Sequence, residues 1–163
     1  MHRKLNIMTL VLSFFSLPFF SLEISIDGKL DESIWNDADE YTKYYESLPF
    51  TLNEPKDYQK VLILEDENGI YLGFVNEQAK ETVRANKHER DDEMSNTDKA
   101  GLAIDFDGDG LTAYAFTVSA SGSISDGIYR NENEVNYDWD ADWKSAVFID
   151  DDFWYVEMFI PWS

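Results

Sequence analysis

Cysteine is absent from the 163 residues, which removes disulfides, zinc thiolate sites, redox motifs and a cysteine nucleophile together. Basic residues are scarce: 13 Lys+Arg stand against 33 Asp+Glu, for a formal net charge of -20. A chain this acidic repels phosphates, and no stretch of it gathers a basic groove, so nucleic acid is not expected as a partner. Histidine is limited to His2 and His88, and His88 falls in a charged stretch where a surface position is expected. The chain has no Gly-x-Ser-x-Gly elbow, no phosphate-cradling glycine loop and no zinc helix. With so many acids, some carboxylate pair reaches glycosidase spacing by chance, so acidity alone does not argue for hydrolysis. What is present is material for a core, 44% hydrophobic and 15% aromatic, unlike an acidic disordered tail. The length suits one domain.

Residues 1–21 differ from the rest. His2, Arg3 and Lys4 precede an apolar run from Ile7 to Phe20, and no acid occurs among them. That run is too short to span a bilayer of roughly 30 Å as a helix and matches the apolar part of an export signal. Cleavage is expected near Ser21, although Phe19 two positions earlier is bulky for such a site. The expectation is an exported protein in the periplasm, the outer membrane or outside the cell. Without Arg3 and Lys4 the remainder, 22–163, keeps 33 acidic residues against 11 basic ones.

The remainder reads as short strands. Ile24–Ile26 suggests a first strand, followed by the turn Asp27-Gly28. Asp31 is placed to cap about two helical turns, with Ile34, Trp35 and Ala38 facing inward. Val61–Leu64 is a continuous apolar run, Asn68-Gly69 breaks it, and Ile70, Leu72 and Phe74 alternate after it, which predicts a hairpin. Leu102, Ile104 and Phe106 alternate, then Tyr114, Phe116 and Val118. The final strand sets Trp154, Val156, Met158 and Ile160 on one face and Tyr155, Glu157 and Phe159 on the other. Between Gln78 and Thr97 lies a long polar loop. The pattern predicts an all-β fold, an antiparallel β-sandwich of jelly-roll type.

Four segments together carry a resemblance. Ile26-Asp27-Gly28-Lys29-Leu30-Asp31-Glu32-Ser33-Ile34-Trp35, then Ile70-Tyr71-Leu72-Gly73-Phe74, then Asp98 to Asp109, then Trp154 to Trp162 ending in Ile160-Pro161-Trp162, resemble family 9 carbohydrate-binding modules. The nearest version stands at the N-terminus of large exported bacterial proteins, ahead of an outer-membrane β-barrel. The resemblance runs from Ile24 to Trp162. It implies a sugar-binding β-sandwich without catalytic activity, often stabilised by calcium, whose partners are a poly- or oligosaccharide and a C-terminal catalytic or barrel domain of a longer protein. Members usually continue past the Ile-Pro-Trp segment, so this chain is expected either to be a piece of a longer reading frame or to lack a closing strand and leave an edge exposed.

Asp105-Phe106-Asp107-Gly108-Asp109-Gly110 has carboxylates at spacing two closed by glycine, as in the first half of a calcium loop. The bidentate acid of an EF-hand is missing, since Phe116 holds that position. Two readings stand: Asp105, Asp107 and Asp109 hold Ca²⁺ with help from elsewhere, or they cap a plain turn. Asp126, Asp138, Asp140 and Asp142 are further oxygen donors, and Asp150-Asp151-Asp152 reads as a solvated turn.

A sugar platform needs flat apolar faces with polar groups beside them. Trp35 and Trp154 fall on core faces. Trp139 and Trp143 lie in the acidic stretch Tyr137–Trp143, where each either supplies a stacking face or plugs the end of the sandwich. Tyr129 and Tyr137 are further stacking candidates. Arg84 and Arg90 in the polar loop offer fork-shaped donors for adjacent hydroxyls, unless neighbouring acids occupy them. The function expected is non-catalytic glycan binding. The alternatives are an assembly domain with no sugar ligand and a fragment of a glycan-processing enzyme.

Overall fold

The computed structural model describes residues 24–92, 94–130 and 134–162, and the expected export signal at 1–21 lies outside them. Apolar alternation resolves into strands β1 (Asp39–Tyr41), β2 (Gln59–Glu65), β3 (Gly69–Glu77), β4 (Lys99–Ile104), β5 (Thr112–Ser119), β6 (Ile124–Arg130), β7 (Glu134–Asn136), β8 (Lys144–Ile149) and β9 (Phe153–Pro161). They form a five-stranded sheet in the order β1-β2-β3-β9-β8 and a four-stranded sheet in the order β4-β5-β6-β7. Every neighbouring pair is antiparallel. The expected all-β sandwich is therefore what the chain builds.

The expected hairpin is β2–β3, with Glu65 opposite Ile70. Asp66 closes it: its Oδ1 accepts the backbone N–H groups of Asn68 and Gly69 at 2.8 and 3.2 Å, which fixes the turn as Asx-type. Trp154, Val156, Met158 and Ile160 of β9 point between the sheets, where they meet Leu72, Phe74, Phe116 and Val118. All eight are buried. Each contributes roughly 1.5–3 kcal/mol by leaving water. The Asp150–Asp152 turn is held as expected, with Asp150 Oδ1 accepting the N–H groups of Asp152 and Phe153.

The other face of the five-stranded sheet is covered as well. Residues 24–38 run across it as a strap, and Ile24, Ile26, Leu30 and Ala38 pack around Trp35, Leu62 and Tyr71. This corrects two expectations. Ile24–Ile26 pairs with no strand; its isoleucines are half-buried because they lie across the sheet rather than along its edge. The helical turns shrink to a 3-10 helix over Ser33–Asp37, preceded by Glu32 rather than Asp31. Glu32 is occupied in holding the strap together: Oε1 accepts Ser25 N–H at 2.9 Å and Oε2 accepts the Trp35 indole N–H at 3.2 Å.

The strap approaches the sheet most closely at Gly28, whose φ is +89°. A Cβ there would stand 2.6 Å from the Val147 carbonyl carbon and 2.8 Å from the Phe148 nitrogen, so no larger residue fits. Directly beneath, Glu157 is fully buried. Its Oε2 accepts the N–H groups of Asp27 and Gly28 at 2.8 and 2.7 Å. Oε1 is buried without a partner among the described residues. Burial pushes this carboxyl up to about 7, with Glu32 and Asp27 adding to the shift and the two backbone donors opposing it.

Candidate binding site

At one end of the sandwich three segments that are distant in sequence converge. β4 stops at Ile104, and the following turn carries Phe106 outward, half exposed. Phe106 was expected to continue the strand alternation; instead Asp105 starts the turn one residue earlier. The segment between β7 and β8 brings Trp139, Asp140 and Asp142, and the end of β9 brings Ile160, Pro161 and Trp162. With Tyr114 and Phe116 from β5 they line a cleft of about 550 Å³. Its aromatic rings touch in series. Phe106 lies 6.4 Å from Trp162 and 5.6 Å from Tyr114, and Tyr114 lies 5.0 Å from Trp139. Trp162 is 43% exposed, and its indole N–H donates to the Asp66 carbonyl at 2.7 Å, which fixes the orientation of the ring.

The cleft is acidic along its edge, with Asp107, Asp140 and Asp142 lining it and, among the described residues, no Lys or Arg in its walls. Arg90 stands behind Asp140 and engages several acceptors through Nε and Nη2. Its Nη2 lies 2.6 Å from Asp126 Oδ1 and donates to the Ala141 carbonyl at 3.1 Å, and its Nε lies 2.9 Å from Asp140 Oδ1. Asp126, buried on β6, accepts the Ala141 N–H through Oδ2 at 2.6 Å. The segment bearing Trp139 is thus held from behind by a buried carboxylate and a guanidinium.

The residues singled out from sequence sort into separate places. Trp139 is half-buried and lines the cleft, with its inner edge against Phe116 at 6.0 Å. Trp143 is buried and packs edge-on against Phe116 at 5.4 Å, so of its two readings the core plug is the one built. Tyr129 and Tyr137 sit on the outer face of the four-stranded sheet, beside Gly127 and Val135, away from the cleft. Arg84 is committed to Asp98 through Nε and Nη2, with its own backbone N–H on the same carboxylate. Burial pushes Asp98 up, and the Arg84 amide, the guanidinium and Gln78 outweigh that and hold it below the usual carboxylate range. Neither arginine lines the cleft. No signal in the sequence marks Phe106, Tyr114 and Trp162 as site residues: Phe106 and Tyr114 read as strand alternation, and Trp162 follows the last strand, where periodicity carries no information.

The Asp105–Asp109 segment is a turn closed by its own side chains. Asp105 Oδ1 accepts the N–H groups of Asp107 and Gly108, and Oδ2 accepts that of Gly110 at 2.7 Å. Asp109 Oδ1 accepts Leu111 N–H at 2.8 Å. These backbone donors, Gly110 first, hold the Asp105 carboxyl below its ordinary value. Among the described residues, the acids whose oxygens converge within 4.8 Å are a different set, Asp91, Asp126 and Asp140. Arg90 contacts all three, so a guanidinium already supplies positive charge there.

No protein-family model matches this chain, and no curated protein does. Among solved structures it is similar to a carbohydrate binding module family 9 (CBM9) from Caldicellulosiruptor kristjanssonii in complex with cellotriose, with a TM-score of 0.57 and 14% identity. The match covers 86% of this chain and 64% of that one. At this identity the likeness is one of fold.

Proposed function

We propose that this is a non-catalytic carbohydrate-binding domain and that the cleft between Trp139, Phe106 and Trp162 takes the sugar. The observation that carries the reading is the pairing of a half-exposed aromatic series with carboxylates along one edge. Pyranose rings offer C–H faces that pack on aromatic planes and hydroxyls that donate to carboxylate oxygens. The fold it shares with a cellotriose-binding module supports the same reading. Glycoside hydrolysis usually needs a carboxyl kept protonated near neutral pH beside a second, ionised one. Among the described residues, the carboxyl pushed up to about 7 is Glu157, sealed beneath the strap on the opposite face of the five-stranded sheet. Export and action beside a catalytic or barrel domain belong to the proposal, resting on the N-terminal pattern and the resemblance. So does structural calcium at the Asp105–Asp109 turn, where the lone pairs not used by backbone donors would face the ion; a melting temperature unmoved by EDTA removes that part.

Calorimetric titration with cello- and xylo-oligosaccharides tests the central reading. Binding that disappears in Trp139→Ala, in a variant that keeps its far-UV spectrum, supports it. An assembly domain is the second reading, favoured by Leu48, Phe50 and Leu52, which are 93%, 78% and 57% exposed on the β1–β2 connection. A folded domain that binds no glycan favours that reading instead.

A further inference from the structure

We infer that the cleft prefers amino sugars in their protonated form over neutral sugars, and rejects uronic and sulfated ones; this rests on the carbohydrate reading above. Among the described residues, the cleft walls carry three carboxylates and no cation. The nearest guanidinium, Arg90, directs Nε and Nη2 at Asp126, Asp140 and the Ala141 carbonyl and does not line the cleft, so its charge is already offset by carboxylates. Asp142 has no hydrogen-bond or ion-pair partner among the described residues, and the Asp107 carboxylate accepts nothing there either. Two exposed carboxylates without a protein partner among the described residues therefore flank a run of aromatic rings. A neutral sugar uses those carboxylates only as hydroxyl acceptors. An ammonium group on the ring gains Coulomb attraction from the carboxylates and cation–π attraction from Trp139 or Trp162. A ring carboxylate or sulfate instead meets like charge in a chain with a formal net charge of -20.

The test compares tetramers of β-1,4-linked glucosamine, glucose and glucuronate at pH 6, titrated into the full chain at low salt and again in 0.5 M NaCl. The expected result is glucosamine tetramer binding about tenfold more tightly than glucose tetramer, the size of a partly desolvated cation–π contact with ion pairing. That advantage shrinks at high salt as screening shortens the reach of the carboxylates, and the glucuronate tetramer gives no signal. Asp107→Asn with Asp142→Asn brings the ratio of glucosamine to glucose affinity towards one. Because a strongly acidic surface also attracts any polycation, Trp139→Ala is the control: glucosamine binding that survives in it unchanged is non-specific and overturns the inference. Equal affinity for glucosamine and glucose tetramers overturns the selectivity and leaves carbohydrate binding standing. No binding by either overturns both.

Discussion

Arg90 Nη2 lies 2.6 Å from Asp126 Oδ1, and through that contact a surface loop is anchored to a carboxylate sealed inside the sandwich. The arginine side chain is 39% exposed while that of Asp126 is fully enclosed, so the two partners do not lose equally when the pair is broken. Arg90→Ala leaves a buried charge with one backbone donor, Ala141 N–H. We expect a loss of about 2 kcal/mol, below the range for fully enclosed pairs because solvent reaches the arginine side. Adding Asp126→Asn to that variant should recover part of the loss. A double-mutant cycle by urea denaturation checks this, and simple additivity would show that the pair is not coupled.

Trp139 and Trp162 should separate binding from stability. Both line the cleft, but Trp139 also packs on Tyr114 and Phe116, whereas Trp162 is 43% exposed. Trp162→Ala is expected to weaken oligosaccharide binding at least tenfold while costing under about 1 kcal/mol of stability. Trp139→Ala should lose binding and about 2–3 kcal/mol as well. Parallel calorimetry and thermal melts read both quantities. Retained affinity in Trp162→Ala would take that ring out of the site.

Glu157 makes stability depend on pH in the sense opposite to most carboxylates. Its folded value, about 7, lies above its ordinary 4.5, so the native state holds an extra proton between those two pH values. Its favourable contribution is complete below pH 4.5 and is lost as pH rises through 7. The full span is on the order of 3 kcal/mol. Glu157→Gln removes the titration, so the difference in melting temperature between variant and parent should move in favour of the variant between pH 5.5 and pH 8. A difference that does not change with pH would rule out ionisation of Glu157 in that range.

Gly28→Ala should be among the most damaging single substitutions outside the core. Its φ of +89° disfavours any side chain, and the added carbon would meet β8 backbone at 2.6 Å. The clash displaces the two amide donors that reach Glu157. We expect about 2–4 kcal/mol of destabilisation, together with faster amide exchange over residues 24–38. Unchanged exchange there would mean that the strap is held without this contact.

How much of this could be read beforehand depends on where each residue's fate is decided. The β2–β3 hairpin and the inner face of β9 were legible, because alternation and an Asn-Gly break are local signals and both survived packing. The same alternation put Tyr155, Glu157 and Phe159 on the second face of β9, but periodicity does not say what covers a face. Only the strap explains a carboxylate at full burial. Trp139 was identified by the absence of a pattern around it, whereas Phe106 was hidden by a pattern that stopped one residue before it. Arg84 and Arg90 had the right chemistry for sugar hydroxyls, yet a chain so rich in acids supplied both with carboxylates first.

The position of β9 bears on how the protein comes into being. It is the last strand of the described chain, yet it lies between β3 and β8 in the sheet order, and its pairing with β3 runs from Gly69 opposite Pro161 to Glu77 opposite Phe153. A nascent chain ending before Phe153 has β3 and β8 with nothing to join them, so the five-stranded sheet cannot close until residues 153–161 have emerged. Sheets assembled from partners so distant in sequence form slowly. In refolding, binding competence should therefore emerge in the slowest phase, since Trp162 reaches the cleft only when β9 has docked.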